Sequence, residues 1–251
     1  MTSVQEILGF LNELAPFDTQ ESWDNSGLLI GSAEQAVTVA ALALDITTET
    51  VQLAKQAGAQ LLISHHPVIF HPIRRVQAND PVYALIAAGL TAVCAHTNLD
   101  AAQGGVNDCL AQLLGLTAIE SLPIPSTQLL LRRGTLPNEM TARGFAALVS
   151  ERLGARVFVA DGGRPISTVA VCGGAGGEFA GEVAGLADAY VTGEAKHHEL
   201  LLARQLGLTM AVAGHFETEN PVIAPLAQRL SERFPAVTFR VLEQPNPVFY
   251  C

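Results

Sequence analysis

Short apolar runs and longer amphipathic segments alternate along the first half of the chain. The runs at 37–44, 61–64 and 91–95 have the length and composition of strands buried in a parallel sheet. The segments between them, 48–58 and 81–88, are predicted to be helices, and the first of them begins with a threonine suited to capping. This order predicts βαβ units with right-handed crossovers.

The second half of the chain has the same alternation. Strands are predicted at 129–132, 156–160, 168–172, 189–192, 209–213 and 237–242. Helices are predicted at 141–153, 197–206 and 221–234. The segment 121–126 contains two prolines and is the best candidate for a linker. We therefore predict an α/β protein of two lobes, with residues 1–122 and 195–251 in one lobe and 123–194 in the other.

Composition and charge narrow the possible functions. The chain has 251 residues, of which 49% are hydrophobic and 15% charged, so it can bury a large core. Its net charge is −10, and Lys55 and Lys196 are its only lysines. A general nucleic-acid-binding protein needs a basic surface to neutralise phosphates. General nucleic-acid binding is therefore not expected.

The cysteines and the N-terminus predict a cytoplasmic protein. Cys94, Cys109, Cys172 and Cys251 show no CxxC spacing and no disulfide framework, which fits a reducing compartment. The first residues lack the basic segment of a signal peptide. The apolar runs are shorter than the ~18 residues needed to span a bilayer, so no membrane association is expected.

Candidate metal ligands follow three of the predicted strands. His65 and His66 follow the strand 61–64, and two further strands lead to pairs spaced four residues apart. These pairs are His96 with Asp100 and His215 with Glu219. In open α/β sheets, ligands gather at the carboxyl ends of strands. Imidazoles and carboxylates without a thiolate suit zinc, iron, manganese or nickel.

Each signal also has a purely structural interpretation. Neighbouring strand residues point to opposite faces, so one of His65 and His66 could be buried and the other exposed. Both can face one cleft if the chain leaves strand geometry before Pro67. Asp100 could cap the following segment and pair with His96. The carboxylates after His215 could belong to an ordinary helix N-terminus.

Taken together, the candidate ligands outnumber those that one metal ion requires. The five candidate ligands are His65, His66, Asp100, His215 and Glu219. A tetrahedral site needs only four ligands, whereas two ions roughly 3.5–4 Å apart can share a carboxylate and a water molecule. We assign the bridging position to Glu219, because a carboxylate offers two oxygens and an imidazole offers one nitrogen.

The chain resembles the family of GTP cyclohydrolase 1 type 2 homologs, also called NIF-three-like proteins. The matching segments, with their first and last residues numbered, are Trp23-Asp-Asn-Ser-Gly27, Ile63-Ser-His-His-Pro67, Phe70-His-Pro72, His96-Thr-Asn-Leu-Asp100, Val171-Cys-Gly-Gly174, Thr192-Gly-Glu194 and Gly214-His-Phe-Glu-Thr-Glu219. The resemblance implies two interlocked α/β lobes with mixed, largely parallel sheets and a ring-shaped homohexamer. It also implies a dinuclear metal site in the cleft between the lobes, with the five ligands given above and with His96 and Glu194 nearby.

The function expected from these features is metal-dependent hydrolysis of a small polar substrate, either nucleotide-like or a phosphoester. Ring opening of GTP is a narrower version of the same chemistry. His96 and Glu219 are the candidate catalytic residues, with His96 as a proton shuttle because imidazole exchanges protons near neutral pH. The alternative function is a non-catalytic metal-binding scaffold, or a regulatory or metal-delivery protein.

Three further segments each have two interpretations. The glycine-rich segment 172–178 is either a tight turn or a cradle for phosphate. Asp45 either supports a metal ligand or caps a helix. Trp23 and Asp24 form either a packing corner or a clamp for the substrate.

Overall fold

The structure, a computed structural model, describes residues 1–249 and divides into two units. Unit 1 comprises Met1–Ala102 and Ile223–Pro247, and Gln103–Val222 is the body of unit 2. The strands are β1 Gly27–Ile30, β2 Val39–Ala43, β3 Leu61–Ser64, β4 Thr91–Cys94, β5 Thr117–Pro123, β6 Leu130–Met140, β7 Phe158–Ala160, β8 Ile166–Cys172, β9 Ala189–Thr192, β10 Thr209–Val212 and β11 Thr238–Val241. The helices are α1 Val4–Leu14, α2 Thr48–Gln56, α3 Pro81–Ala88, α4 Thr97–Ala101, α5 Val106–Leu113, α6 Ala142–Leu153, α7 Ala180–Val183, α8 His197–Gln205, α9 His215–Glu219 and α10 Ile223–Arg233.

Unit 1 contains a five-stranded sheet in the order β1-β4-β3-β2-β11. Strands β4, β3, β2 and β11 are parallel, and β1 is antiparallel to β4. All residues of β3 and β4 are buried, as expected for strands covered on both faces. The predicted strands at 61–64 and 91–95 are therefore confirmed, and they are direct neighbours in this sheet. Their carboxyl ends consequently lie at the same edge.

Local sequence explains the helices that flank this sheet. The side chain and backbone of Ser3 form a reciprocal capping box with Glu6 at the start of α1. The N-cap of α2 is Thr47 rather than Thr48, with its hydroxyl accepting from the Thr50 N–H. Pro81 begins α3, and Gly89 ends it in the left-handed conformation.

Unit 2 contains a mixed six-stranded sheet in the order β5-β6-β8-β9-β10-β7. Strands β8, β9 and β10 are parallel, while β5, β6 and β7 join through antiparallel pairs. Alternate residues of β8 enter two different apolar clusters, one with Phe145 of α6 and one with Val183 of α7. Since alternate strand residues face opposite sides, helices cover both faces of this sheet.

Two predictions about chain organisation need correction. The proposed linker at 121–126 overlaps β5, whose residues up to Pro123 pair with β6. The proposed lobe boundaries, after residues 122 and 194, differ from the observed division because both β5 and β10 pair within the sheet of unit 2. The prediction of an α/β fold with mixed sheets is confirmed.

Among the described residues, no helix is both long enough and apolar enough to cross a membrane. Cys94, Cys109 and Cys172 are present as thiols. Cys251 lies outside the described residues.

Candidate functional site

Three imidazoles of unit 1 form one group at the shared edge of β3 and β4. His65 and His66 follow β3, and His96 follows β4. Their candidate ligand atoms all lie within 4.8 Å of one another. The ring centroids of His65 lie 5.0 Å from His66 and 5.2 Å from His96. The group brings together residues about 30 positions apart because the two parallel strands end side by side.

The backbone leaves strand geometry before this group. Strand β3 ends at Ser64, and His65 and His66 lie in the bend that follows. The Ser64 hydroxyl donates to the carbonyl oxygen of His66 at 2.7 Å, which holds the bend. The two histidines are therefore not restricted to opposite faces of the sheet. The interpretation in which one histidine is buried and the other exposed is wrong, since His65 is buried and His66 is half-buried beside it.

A second partner orients each imidazole of this group through Nδ1. The Nδ1 of His65 lies 2.9 Å from the carbonyl oxygen of Ala95. The Nδ1 of His66 lies 2.7 Å from Oδ1 of Asp45, and that of His96 lies 2.7 Å from Oδ1 of Asp24. A carbonyl oxygen has no proton to donate, so Nδ1 of His65 carries the proton. Protonation at Nδ1 leaves the lone pair on Nε2, which is the arrangement of histidine ligands in metal sites.

Asp24 is buried and held by several donors besides His96. Its Oδ2 accepts from the backbone N–H of Thr97 at 3.0 Å and from the Thr97 hydroxyl at 2.5 Å. Burial by itself would raise the pKa of this carboxyl. The hydrogen bonds from His96 and Thr97 outweigh burial and hold the pKa of Asp24 well below its usual value. Asp24 therefore stays ionised beside His96.

Asp100 lies in α4 and faces His65. Its Oδ1 is 3.5 Å from Nε2 of His65, and both atoms are almost completely buried. The suggested pairing of Asp100 with His96 is not the one the structure shows, because His96 binds Asp24 instead. Unit 1 thus holds three imidazoles and one carboxylate among the candidate residues.

The remaining predicted ligands lie in unit 2, within one short helix. His215 and Glu219 begin and end α9, and their spacing places both side chains on one side of the helix. Nε2 of His215 is 3.0 Å from Oε2 of Glu219, which is buried. Nδ1 of His215 lies 2.7 Å from Oε1 of Glu194, so this imidazole also presents Nε2.

The glycine-rich segment 172–178 shapes the space around Glu219. Gly174 has a φ of +62°, and a Cβ atom at this position would lie 2.0 Å from Oε1 of Glu219. The carbonyl oxygen of Gly174 accepts from the backbone N–H groups of Gly193 and Glu194, both at 2.9 Å. The interpretation of this segment as a tight turn is therefore supported, and the turn allows a buried carboxylate to approach the backbone closely.

The sequence gives little indication of which residues orient the imidazoles. The two interpretations of Asp45 are now resolved, since it supports His66 and the hydroxyl of Thr47 caps α2. The sequence indicates Asp24 only as part of a corner or clamp, although it lies next to Trp23 in a segment dense in polar residues. Only the family resemblance indicates that Glu194 lies near the site.

The donor atoms fit a divalent cation of the zinc, iron, manganese or nickel group. They are imidazole nitrogens and carboxylate oxygens, and the thiol of Cys94 instead donates to the carbonyl oxygen of His65 at 2.9 Å. The Nδ1 atoms are already engaged, so each imidazole offers a single ligand atom of fixed direction. Unit 1 by itself therefore holds a group of side chains that could bind a metal ion.

Comparison with known proteins shows the family to which this chain belongs. Residues 2–247 match the model of the Duf34/NIF3 (NGG1p interacting factor 3) family, so the chain belongs to that family. It is 34% identical over 248 residues to a GTP cyclohydrolase 1 type 2 homolog of Streptomyces coelicolor, covering 92% of this chain and 87% of that one. A homolog of the same description from Clostridium perfringens is 30% identical over 240 residues, covering 92% of each chain.

The fold also agrees with a solved structure. The crystal structure of the Staphylococcus aureus hypothetical protein SA1388 superposes with a TM-score of 0.92 at 27% identity, covering 99% of both chains. The family resemblance expected from the sequence is thus confirmed.

Proposed function

We propose that the protein binds two divalent metal ions and uses them to hydrolyse a nucleotide-like or phosphoester substrate. The observation that carries this proposal is the shared orientation of four imidazoles. His65, His66, His96 and His215 each engage Nδ1 with an oxygen acceptor and leave Nε2 as the ligand atom. Such uniform orientation is a property of metal sites and is not required of histidines that only fill a core.

The proposed ligands are His65, His66, Asp100, His215 and Glu219. In this proposal Glu219 bridges the two ions, because its two oxygens can serve different ions. The identity of the metal follows the donor set, which suits zinc, iron, manganese or nickel.

Divalent ions bound by these residues would supply Lewis-acid activation of water and of an electrophilic substrate oxygen. Side chains of the protein would carry out the proton transfers. His96 keeps its Nδ1 proton directed at the ionised Asp24, so its Nε2 can accept a proton from the attacking water. The buried carboxylate of Asp24 would then stabilise the imidazolium, and His96 would return the proton to the leaving group.

Metal content of matched variants tests the ligand assignment. Protein loaded with Zn, Fe, Mn or Ni in turn should contain about two ions per chain. Glu219→Ala should weaken both ions, whereas His65→Ala or His66→Ala should each leave roughly one ion tightly bound. His197→Ala removes an exposed imidazole at the start of α8 and should keep both ions. If Glu219→Ala retains two ions, the bridging assignment fails, and if all variants retain two ions, the dinuclear proposal fails.

A hydrolase screen of the same samples tests catalysis. Turnover of a nucleotide or phosphoester by the metal-loaded protein, lost in Glu219→Ala and kept in His197→Ala, is the expected result. Two tightly bound ions without any turnover would favour the alternative of a metal-binding scaffold or delivery protein.

The proposed assembly is a homohexamer in the cytoplasm. Light scattering at micromolar concentration should give a mass near six chains of 26.4 kDa. The mass of a single chain would contradict the hexamer.

A further inference from the structure

Two large aromatic side chains lie exposed beside the imidazole group of unit 1. Trp23 is 54% exposed and Phe70 is 40% exposed. Their ring centroids are 5.6 Å apart, and they lie 6.1 Å and 6.2 Å respectively from the ring of His96. Scattered exposed aromatics need no explanation, but a contiguous pair against a candidate catalytic residue indicates a binding surface.

The loops that carry these two rings are fixed to each other and to the imidazole group. The Asn25 side-chain amide donates to the carbonyl oxygen of Ile69 at 2.6 Å, which joins the residue after Asp24 to the residue before Phe70. Asp24, directly after Trp23, binds His96. The aromatic pair is therefore positioned before any ligand arrives, which lowers the entropic cost of binding.

The same loop that carries Phe70 carries two adjacent arginines. Arg74 and Arg75 are exposed, and neither forms an ion pair with any residue between 1 and 249. Both guanidinium groups are thus accessible to an anionic ligand. The four-residue step from Phe70 to Arg74 spans at most about 14 Å, so the arginines belong to the stretch of loop next to the aromatic pair.

We propose that Trp23 and Phe70 bind a planar nitrogen heterocycle of the substrate by stacking, and that Arg74 and Arg75 bind its phosphate group. The aromatic rings offer a face to the heterocycle that requires no particular pattern of hydrogen bonds. The guanidinium groups offer paired donors that match phosphate oxygens. This inference rests on the proposed function and deepens it, because it places a nucleotide of the substrate class beside His96.

Fluorescence tests the stacking directly, because Trp23 is the only tryptophan of the chain. The metal-loaded full-length protein is titrated with guanosine 5′-monophosphate, guanosine and ribose 5-phosphate, with free tryptophan as the control for absorption by the ligands. Guanosine and its monophosphate should quench Trp23, and ribose 5-phosphate should not. Calorimetry on the same samples gives the dissociation constants without relying on the tryptophan signal.

Three variants separate the two parts of the proposal. Phe70→Leu should raise the dissociation constants of guanosine and of its monophosphate at least about fivefold, the factor that corresponds to the weaker measured stacking contributions. The double variant Arg74→Gln with Arg75→Gln should weaken the monophosphate and leave guanosine unchanged. Tyr83→Leu removes an aromatic ring of similar exposure from α3 and should change neither constant.

The outcomes distinguish this inference from the proposed function. If the monophosphate fails to quench Trp23, or if Phe70→Leu binds it as Tyr83→Leu does, the stacking surface is wrong. If the arginine variant weakens guanosine and its monophosphate equally, the phosphate assignment is wrong. Elemental analysis of the same samples should show unchanged metal in all three variants. Loss of metal from the unmodified protein, in contrast, would overturn the proposed function.

Discussion

Oδ1 of Asp24 lies 2.7 Å from Nδ1 of His96, across 72 residues of sequence. The Asp24 side chain is completely shielded from water, and that of His96 is 14% exposed. A buried carboxylate in this position fixes both the direction of the imidazole and the nitrogen that carries its proton. Its Oδ2 accepts from the backbone N–H and the hydroxyl of Thr97, so both carboxylate oxygens are used.

Replacing Asp24 by asparagine should therefore destabilise the protein. One oxygen becomes an NH2 group that faces N–H or O–H donors in a buried place, which costs about 1–3 kcal/mol of unfolding free energy. Urea denaturation measures this loss, and nitrogen NMR of the His96 ring shows which of its nitrogens carries the proton in the variant. Asp18→Asn, an exposed carboxylate of the same unit, should match the unmodified protein in both measurements. Equal stability of the two variants would contradict the role assigned to Asp24.

The part of this site that depends on neighbouring strands can be predicted from the sequence. The runs before His65 and His96 are short and fully apolar, so they predict buried parallel strands, and β3 and β4 are indeed adjacent. The partners Asp24 and Asp45 are harder to predict, since no local pattern connects them to imidazoles 72 and 21 residues away. Their roles depend on tertiary contacts that periodicity does not encode.

The sheet assignments show the same limit. The sequence predicts strand β10 within a residue of its observed end but assigns it to the wrong lobe, because its sheet is set by pairing with β9 and β7. The end of strand β5 resembles a linker in the sequence because Pro123 suggests a break. Proline is tolerated at the end of this edge strand, which pairs only with β6.

Two neighbouring arginines of β6 should differ sharply in their contribution to stability. Arg132 is 4% exposed, and its Nε and Nη2 bind the two carboxylate oxygens of Asp108 at 2.6 Å and 3.1 Å. Asp108→Ala removes this carboxylate from a buried guanidinium and should cost about 3–5 kcal/mol of unfolding free energy. Denaturant unfolding measures the loss.

The matched control is the next residue along the strand. Arg133 pairs with Glu120, and their side chains are 38% and 56% exposed, so Glu120→Ala should cost no more than about 1 kcal/mol. Replacing the buried pair as a whole, with Asp108→Leu and Arg132→Met together, should recover part of the loss because no uncompensated charge remains. A double variant less stable than Asp108→Ala would contradict this explanation.

Asp188 should make the stability of unit 2 depend on pH. Its Oδ2 accepts from the N–H groups of Ser167 and Thr168, at 3.1 Å and 2.8 Å, and from the Thr168 hydroxyl at 2.8 Å. Partial burial alone would raise the pKa of this carboxyl, but the donors of Thr168 and Ser167 outweigh it and lower the pKa.

A carboxyl whose pKa is lower in the folded state stabilises the fold above its unfolded pKa of about 4, and this contribution is lost as the pH falls through the folded value. Asp188→Asn should therefore be less stable than the unmodified protein by about 1 kcal/mol at pH 7, and the difference should shrink below pH ~4. Thermal unfolding between pH 3 and 7 measures it. Glu151→Gln, an exposed position in α6, should follow the unmodified protein at every pH. A difference for Asp188→Asn that stays constant across the range would show that the charge is not responsible.

Replacing Gly174 by alanine tests whether metal binding depends on the close approach of the backbone to the Glu219 carboxylate. Alanine at this position incurs two costs, a left-handed φ of +62° and a Cβ atom 2.0 Å from Oε1 of Glu219. The clash is with the end of a side chain, so we expect the carboxylate to move while the fold survives.

Gly163 has a φ of +74°, and a Cβ atom there would meet nothing within 4 Å, so Gly163→Ala incurs the backbone cost alone. Gly163→Ala should lose about 1 kcal/mol of stability, and Gly174→Ala should lose more because it also displaces the carboxylate. Only Gly174→Ala should also lose metal affinity, because the displaced carboxylate no longer meets His215, whose Nε2 lies 3.0 Å from Oε2. Circular dichroism during thermal unfolding and metal titration of both proteins separate these effects. If both variants bind metal equally well, metal binding does not depend on the observed position of the Glu219 carboxylate. The burial of Glu219 beside Gly174 would then serve packing alone.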